Sequence, residues 1–170
     1  MPKANNSSLI PGKISSPRIV PSNIARPEYV GKSGPAKHKG GDKYDEETIQ
    51  RIRAASKLAA QALEAVLASV KPGVTTDQLD QIGHEFLIDR GAYPSTLGYR
   101  GFPKSLCSSL NEVICHGIPD DTVIEEGDLV NIDITAFLDG VHGDNNGTVI
   151  AGEASEEVKL LVERTHEAMM

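Results

Sequence analysis

The sequence predicts an α+β fold, in a single domain that follows a basic N-terminal arm. Apolar residues recur at helical spacing between residues 45 and 91, whereas residues 92–151 are rich in strand formers broken by turn signals. One further helical pattern follows these strands. This order of elements favours an antiparallel sheet with helices packed on it over a repeated β-α-β series.

The arm comprises residues 1–43, which are rich in Pro, Gly, Ser, Asn and Lys and show no sustained apolar period. It carries eight Lys and Arg residues against two acidic residues, a net charge of +6. The remaining residues, 44–170, carry nine basic and 22 acidic residues, which brings the total to −7. We expect the arm to be disordered or loosely docked, as a solvated linker. The alternative is electrostatic contact with an anionic partner such as RNA.

Two helices are predicted directly after the arm. Acidic residues from Asp45 favour a helix N-terminus, and apolar residues then recur at steps of three and four up to Val70. Lys71-Pro72-Gly73 ends this helix. Thr75 or Thr76 is a suitable cap for a second helix, which closes near Gly91.

The strands are predicted from short runs of apolar and β-branched residues. Residues 93–99 form a short candidate strand, and residues 105–110 and 113–117 are candidates for a hairpin around Asn111-Glu112. Residues 129–138 and 141–151 form a second hairpin around Asp139-Gly140, a strong turn signal. Ser155 opens the last helix.

Asp133 is the first candidate site residue, because it lies between Ile132 and Ile134 in an otherwise apolar strand. A carboxylate in such a position is costly unless it is paired or bound to a metal. Asp144 lies on the partner strand, at a similar distance from the turn. Two converging acids repel each other, and a divalent cation relieves that repulsion. On spacing alone, two acids that reach solvent at opposite strand faces remain an alternative.

Several classes of protein are excluded by the composition. No apolar run approaches the length of a membrane span, and the N-terminus lacks the apolar core of a signal peptide, so we expect a cytoplasmic protein. Cys107 and Cys115 are then expected to be thiols that act as small buried hydrophobes. Among the histidines, His38, His84 and His166 are expected to face solvent.

Two long segments carry a resemblance to a known family. They are GYRGFPKSLCSSLNEVICHGIPDD at 98–121 and GDLVNIDITAFLDGVHGD at 127–144, with KPGVTTDQLD at 71–80 in addition. Residues 45–165 resemble the type I methionine aminopeptidases. The resemblance implies the N-terminal half of a pita-bread fold, truncated before its second half. It also implies a metal-dependent hydrolase that removes the initiator methionine from nascent proteins with a small second residue.

The resemblance assigns a role to each motif residue. Asp133 would be a terminal metal ligand and Asp144 would bridge two divalent ions, either Co, Mn, Fe or Zn. His116 would be catalytic, since it would contact the substrate and assist the transition state. The pocket for the methionine side chain would be lined by Tyr99, Phe102 and Cys107, with Thr96 near its edge. His142 matches a position that is usually not a ligand, and we expect it to be structural.

The chain departs from the family pattern in two respects. The family completes its metal site with a His and two Glu from the second half, which would follow Met170. We therefore expect this chain alone to be incomplete as an enzyme, and marginally stable or oligomeric because one half would expose an apolar sheet face. After Asp144 the family usually has Thr and then Ser or Asn, whereas this chain has Asn145 and Asn146. A hydroxyl beside the bridging carboxylate would be lost.

Two other functions compete with the aminopeptidase. A non-catalytic homologue would use the same half-fold as a binding module. A proline-type peptidase of the same fold is disfavoured by Cys107 and by the Cys-His-Gly-Ile-Pro segment at 115–119. The expected partners are the N-terminal methionine of nascent peptides and, through the arm, the ribosome. No contact with a membrane or with DNA is expected.

Overall fold

The computed structural model describes residues 9–37, 39–41 and 43–170; His38 lies outside them, so the expectation for it is untested. The helices are α1 (Glu46–Leu67), α2 (Thr76–Ile88) and α3 (Glu156–Met169). The strands are β1 (Tyr93–Pro94), β2 (Cys107–Leu110), β3 (Leu129–Leu138) and β4 (Val141–Ile150), with a short 3-10 turn at Tyr99–Gly101 between β1 and β2. The α+β class and the order of elements are confirmed.

The first two helices begin where the sequence supplies capping side chains. The Asp45 carboxylate accepts a hydrogen bond of 2.8 Å from the backbone N–H of Thr48. At α2, Thr75 and Gln78 form a reciprocal capping box. These side chains satisfy N–H groups that have no partner within the helix.

The sheet is organised around β3. All of β4 pairs with β3 in antiparallel register, from Leu138–Val141 at the turn to Leu129–Ile150. Because β4 occupies one edge of β3, the short strands β1 and β2 share the other edge, also antiparallel. Asp139 and Gly140 both have positive φ, at 50° and 81°, as the two-residue hairpin turn requires.

The two faces of β3 differ in chemistry. One face presents fully buried apolar side chains against α1 and α2, at Val130, Ile132, Ile134 and Ala136. The opposite face presents Asp133, Thr135 and Phe137, which are half-buried. This alternation aims Asp133 away from the helices and towards an open face of the sheet.

Gly143 on β4 explains how closely α1 packs on the sheet. A Cβ atom at this position would lie 2.2 Å from the carbonyl carbon of Ala55 and from the backbone nitrogen of Ser56. The helix backbone therefore contacts the strand directly. Asn145, on the same face, donates a side-chain hydrogen bond of 3.1 Å to the Ser56 carbonyl.

Two predicted strands are shorter or missing. Of residues 93–99 only the first two form a strand beside β3, although the Ser95 N–H also donates a hydrogen bond of 2.8 Å to the Thr135 carbonyl. Residues 113–117 are not a strand, so the predicted hairpin around Asn111-Glu112 is wrong. Asn111 has φ 50° and His116 has φ 56°, and these left-handed residues interrupt the extended backbone that a ladder requires.

Residues 9–37 of the arm pack against the domain, whereas the sequence predicted a disordered or loosely docked segment. This stretch has no helix or strand, yet Val20, Ile24 and Tyr29 are buried. Val20 and Ile24 pack in one cluster with Tyr93 and Leu97 of the domain. The sequence pattern misses this docking because three isolated apolar residues show no period.

Buried charges fasten the arm to α2. Arg18 donates a hydrogen bond of 2.8 Å from Nε to Asp80, whose side chain is fully buried, and its Nη2 lies 3.1 Å from Asp77. Lys104, also fully buried, donates to both Asp77 and Ser15. Breaking one partner of such a pair is costly because the other charge stays buried.

His84 on α2 belongs to this attachment, and the expectation that it faces solvent is wrong. The residue is 4% exposed. Its Nε2 lies 3.1 Å from the Ile19 carbonyl, which can only accept, so Nε2 carries the proton. Nδ1 then accepts from the Ser105 hydroxyl at 2.7 Å. His166 on α3 is exposed, as expected.

Candidate metal and substrate site

A pocket with a volume of about 1110 Å³ lies on the face of the sheet opposite the helices. It brings together every site residue that the sequence indicated, namely Thr96, Tyr99, Phe102, Cys107, His116, Asp133 and Asp144. β3 and β4 supply the two acids. β2 and the loops on either side of it supply the remainder.

Asp133 and Asp144 are diagonal neighbours on β3 and β4. Asp144 is directly opposite Thr135, two residues along the strand from Asp133, so both carboxylates lie on one face. Burial raises the pKa of Asp133, and the charge of Asp144 and a hydrogen bond between the two side chains raise it further. His116 acts in the other direction on this pKa. The alternative of opposite strand faces is therefore excluded.

Asp144 is held by a hydroxyl from the neighbouring strand. Thr135 donates a hydrogen bond of 2.6 Å from Oγ1 to Oδ1 of Asp144. Asn145 is turned to the helix side of the sheet, and Asn146 lies opposite Asp133. Thr135 thus places a hydroxyl beside Asp144, whereas the two residues that follow Asp144 carry amides.

The two carboxylates fit part of the ligand set of a divalent cation. Both side chains offer oxygen donors on one face of the sheet, with Asp133 half-buried and Asp144 exposed, and their mutual repulsion favours a bound positive charge. Within residues 9–37, 39–41 and 43–170, no group of three or more His, Cys, Asp and Glu residues has the arrangement to hold a metal ion. A catalytic metal normally needs about three protein ligands, so these two carboxylates alone would supply only part of a metal site.

His116 reaches the pocket from the loop after β2. Its backbone is left-handed and the residue is exposed. The following Gly117 packs against β2, where its carbonyl accepts a hydrogen bond of 2.9 Å from the Ser108 N–H. A Cβ atom at Gly117 would lie 2.0 Å from the Ser108 carbonyl oxygen. Only glycine permits this approach, and the neighbouring His116 lines the same pocket as the two acids.

Cys107 lies directly opposite Asp133 in the pairing of β2 with β3. Burial raises the pKa of its thiol to about 12, and the charges of Asp133 and Asp144 contribute in the same direction. The side chain is therefore a neutral, soft contact on the pocket floor. Cys115 is exposed, so the expectation of two buried thiols is wrong for it.

The outer wall of the pocket is aromatic. Tyr99 begins the 3-10 turn and is 41% exposed, and Phe102 follows that turn. Thr96 lies at the edge of the pocket, and its hydroxyl donates a hydrogen bond of 3.1 Å to the Lys104 carbonyl. Together with Cys107 these residues give an apolar surface beside the two acids.

The arm contributes a part of the pocket that the sequence interpretation missed. Arg26, Pro27, Glu28, Tyr29 and Pro35 all line it. The segment Arg26-Pro27-Glu28-Tyr29-Val30 contains the arm's lone aromatic residue, and this was the available signal. The rest of the arm has a composition typical of a linker, so this single aromatic residue was not interpreted as part of the pocket.

Comparison with known proteins fixes the family. Residues 50–170 match the sequence pattern of Peptidase_M24, metallopeptidase family M24. The chain belongs to this family. The acidic pair and the pocket described above agree with membership of a metallopeptidase family.

The relatives of this M24 chain include methionine aminopeptidases. It is 58% identical over 168 residues to methionine aminopeptidase 2 of Mycobacterium tuberculosis, covering 98% of this chain and 58% of the relative. It is 47% identical over 162 residues to the chloroplastic/mitochondrial methionine aminopeptidase 1D of Arabidopsis thaliana, covering 95% and 46%. The chain thus spans about half the length of these relatives.

Solved structures place the M24 chain in the same fold. The crystal structure of methionine aminopeptidase from Rickettsia prowazekii matches with a TM-score of 0.73 and 44% identity, over 75% of this chain and 51% of that one. The prolidase from Pyrococcus furiosus matches with a TM-score of 0.61 but 22% identity, over 73% and 35%, and so shares the fold alone. The predicted pita-bread half-fold is confirmed.

Proposed function

We propose that this chain carries the methionine pocket and two metal ligands of a metal-dependent methionine aminopeptidase. The reaction is removal of the initiator methionine from nascent proteins whose second residue is small. One observation carries the proposal: the converging Asp133 and Asp144 share a pocket with the apolar surface of Tyr99, Phe102 and Cys107. The similarity to methionine aminopeptidases supports the same substrate.

The acids are assigned the two ligand roles that the family pattern implies. Asp133 would be the terminal ligand of one divalent ion, and Asp144 would be the ligand shared by two such ions, either Co, Mn, Fe or Zn. When bound, such ions supply an activated water and polarise the first peptide carbonyl. Thr135 orients Asp144 through its hydroxyl.

The remaining pocket residues bind and orient the peptide. An unbranched thioether suits an apolar pocket with soft contacts, which Cys107, Tyr99 and Phe102 provide and Thr96 borders. His116 is the proposed catalytic residue. Its exposed ring lies at the pocket beside the acids, where a ring N–H can donate to charge that develops on the substrate oxygen.

The competing function is a binding module without hydrolysis. The partial ligand set of the described residues favours this alternative for the chain on its own. The two functions differ in what happens when the rest of the fold is supplied. An enzyme half gains activity, whereas a binding module does not.

The test is a chimera in which residues 1–170 replace the matching part of the Mycobacterium tuberculosis relative. We expect the chimera to release methionine from a Met-Ala-Ser peptide with added Mn²⁺ or Co²⁺, and the 170-residue chain alone to release little. Asp133→Asn and His116→Ala in the chimera should abolish or strongly reduce release. A folded, metal-loaded chimera that releases no methionine would overturn the proposal.

The arm supports a further proposal, contact with ribosomal RNA in the cytoplasm. Lys37, Lys39 and Lys43 are exposed. Arg18, in contrast, forms an ion pair with Asp80. Among the described residues no helix is long and apolar enough to cross a membrane. Changing the three lysines to Gln should reduce co-sedimentation with ribosomes at low salt. Unchanged co-sedimentation would exclude this role.

A further inference from the structure

Tyr29 of the arm lines the pocket and packs against two of its other lining residues. It is 5% exposed, and its ring meets Tyr99 edge-on, with centroids 5.2 Å apart and an interplanar angle of 90°. On another side its ring lies nearly parallel to His142, at 18° and 6.1 Å. Both neighbours line the pocket. One buried ring from the arm therefore supports two groups that substrate would approach.

Hydrogen bonds close this arrangement through Ser95. The Tyr29 hydroxyl donates to the Ser95 carbonyl, and the Ser95 hydroxyl lies 2.9 Å from Nδ1 of His142. Burial raises the pKa of Tyr29 to about 12, so the hydroxyl keeps its proton at neutral pH. Tyr29, Ser95 and His142 thus form a connected unit.

The segment that carries Tyr29 is anchored on both sides. Arg18 pairs with the fully buried Asp80, and Val20 and Ile24 pack with Leu97 of the domain. On the other side of Tyr29, the Ala36 N–H donates a hydrogen bond of 2.6 Å to the Glu28 carboxylate. This bond brings the residues that follow Tyr29 back towards Glu28. Tyr29 is therefore part of a fixed segment, so its contacts are able to constrain the pocket.

We propose that Tyr29 is a positioning residue for the methionine pocket, holding the Tyr99 and His142 rings in place. The inference rests on the proposed function, because the pocket is assigned to methionine there. Tyr99 is 41% exposed, and the Arg100 guanidinium lies 5.7 Å from the centre of its ring. The edge-on contact with Tyr29 adds a buried group that fixes this ring from the side of the arm. The arm is then a structural part of substrate recognition.

Kinetics of the chimera test this role. Tyr29→Ala should raise KM for Met-Ala-Ser by about three- to tenfold, the equivalent of one or two lost aromatic contacts, with a smaller change in kcat. Tyr29→Phe keeps the ring and should restore most of the loss. Tyr44→Ala is the matched control, because Tyr44 is 57% exposed and does not line the pocket. Its kinetics should equal those of the unsubstituted chimera.

A readout without turnover separates this proposal from the proposed function. In the ¹³C-histidine-labelled chimera, Tyr29→Ala should shift the His142 ring resonances, since a stacked ring is removed, and Tyr44→Ala should not. An unsubstituted chimera that is folded but inactive defeats the proposed function, while the His142 shift still reports on Tyr29. Unchanged KM together with unchanged His142 resonances in Tyr29→Ala would overturn the positioning role.

Discussion

Thr135 on β3 donates a hydrogen bond of 2.6 Å to Asp144, the residue directly opposite it on β4. The two residues that follow Asp144 are Asn145 and Asn146, which carry amides and no hydroxyl. The hydroxyl that contacts Asp144 therefore comes from the neighbouring strand. The bridging role proposed for Asp144 depends on this orientation.

Thr135→Val in the chimera should weaken Mn²⁺ binding by about tenfold, because an orienting hydrogen bond to a ligand is lost. Thr135→Ser keeps the hydroxyl and should bind almost normally. Isothermal titration calorimetry measures the affinities. Thr148→Val is the control, since this hydroxyl accepts from Asn131 instead. Equal affinity in Thr135→Val and the unsubstituted protein would show that the hydrogen bond is dispensable.

Gly143→Ala should destabilise the chimera by about 1–3 kcal/mol, the usual range for overpacking. The added methyl group would meet the backbone of α1 at Ala55 and Ser56, and backbone cannot yield as a flexible side chain does. Urea denaturation followed by circular dichroism gives the free energy of unfolding. Gly41→Ala is the control and should have little effect, because none of the described residues lies within 4 Å of a Cβ atom at this position. A stable Gly143→Ala protein would contradict the close packing.

Docking of the arm should weaken as the pH falls below about 6.5, the ordinary pKa of histidine. Burial lowers the pKa of His84, with the nearby Arg18 acting in the same direction and Asp80 and Glu85 in the other. The unfolded state therefore binds more protons, so the stability that neutral His84 contributes is present above the unfolded pKa and lost below it.

Urea denaturation of the chimera at about pH 5.5 and pH 7.5, on either side of that pKa, measures this effect. The loss of stability on acidification should be smaller in His84→Gln than in the unsubstituted protein. His166→Gln should behave like the unsubstituted protein, because His166 is exposed. The same acid loss in His84→Gln would assign the effect to other groups.

The two thiols should differ widely in reactivity. Cys115 is exposed, whereas burial and two nearby carboxylates raise the pKa of Cys107 to about 12. Since the thiolate is the reactive form, iodoacetamide at neutral pH should modify Cys115 first. Mass spectrometry of the digested chimera gives the rates for both cysteines, and Cys115→Ser should leave only the slow one of the two. Comparable rates would contradict the buried position of Cys107.

The elements with strong local signals were predictable. α1 and α2 follow from apolar spacing and capping side chains, and the β3–β4 hairpin follows from Asp139-Gly140 between two β-branched runs. That hairpin was enough to place Asp133 and Asp144 near each other. The motif residues of the pocket came from the resemblance, and the structure brings them together.

The features that sequence interpretation missed depend on contacts between distant residues. Tyr29 reaches the pocket through a segment without secondary structure, and His84 is buried by Ile19 and Ser105. Residues 113–117 resemble a strand in composition, but the left-handed His116 and the close approach of Gly117 set another path. None of these contacts leaves a periodic signal.

The stoichiometry of metal binding to the chimera tests the roles of Asp133 and Asp144 most directly. We expect two tightly bound Mn²⁺ ions in the unsubstituted protein, about one in Asp133→Asn, and none in Asp144→Asn because a bridging ligand serves both ions. Asp89→Asn, an exposed acid outside the pocket, should retain both ions. Two tight ions in both Asp133→Asn and Asp144→Asn would contradict the assignment of these residues as ligands.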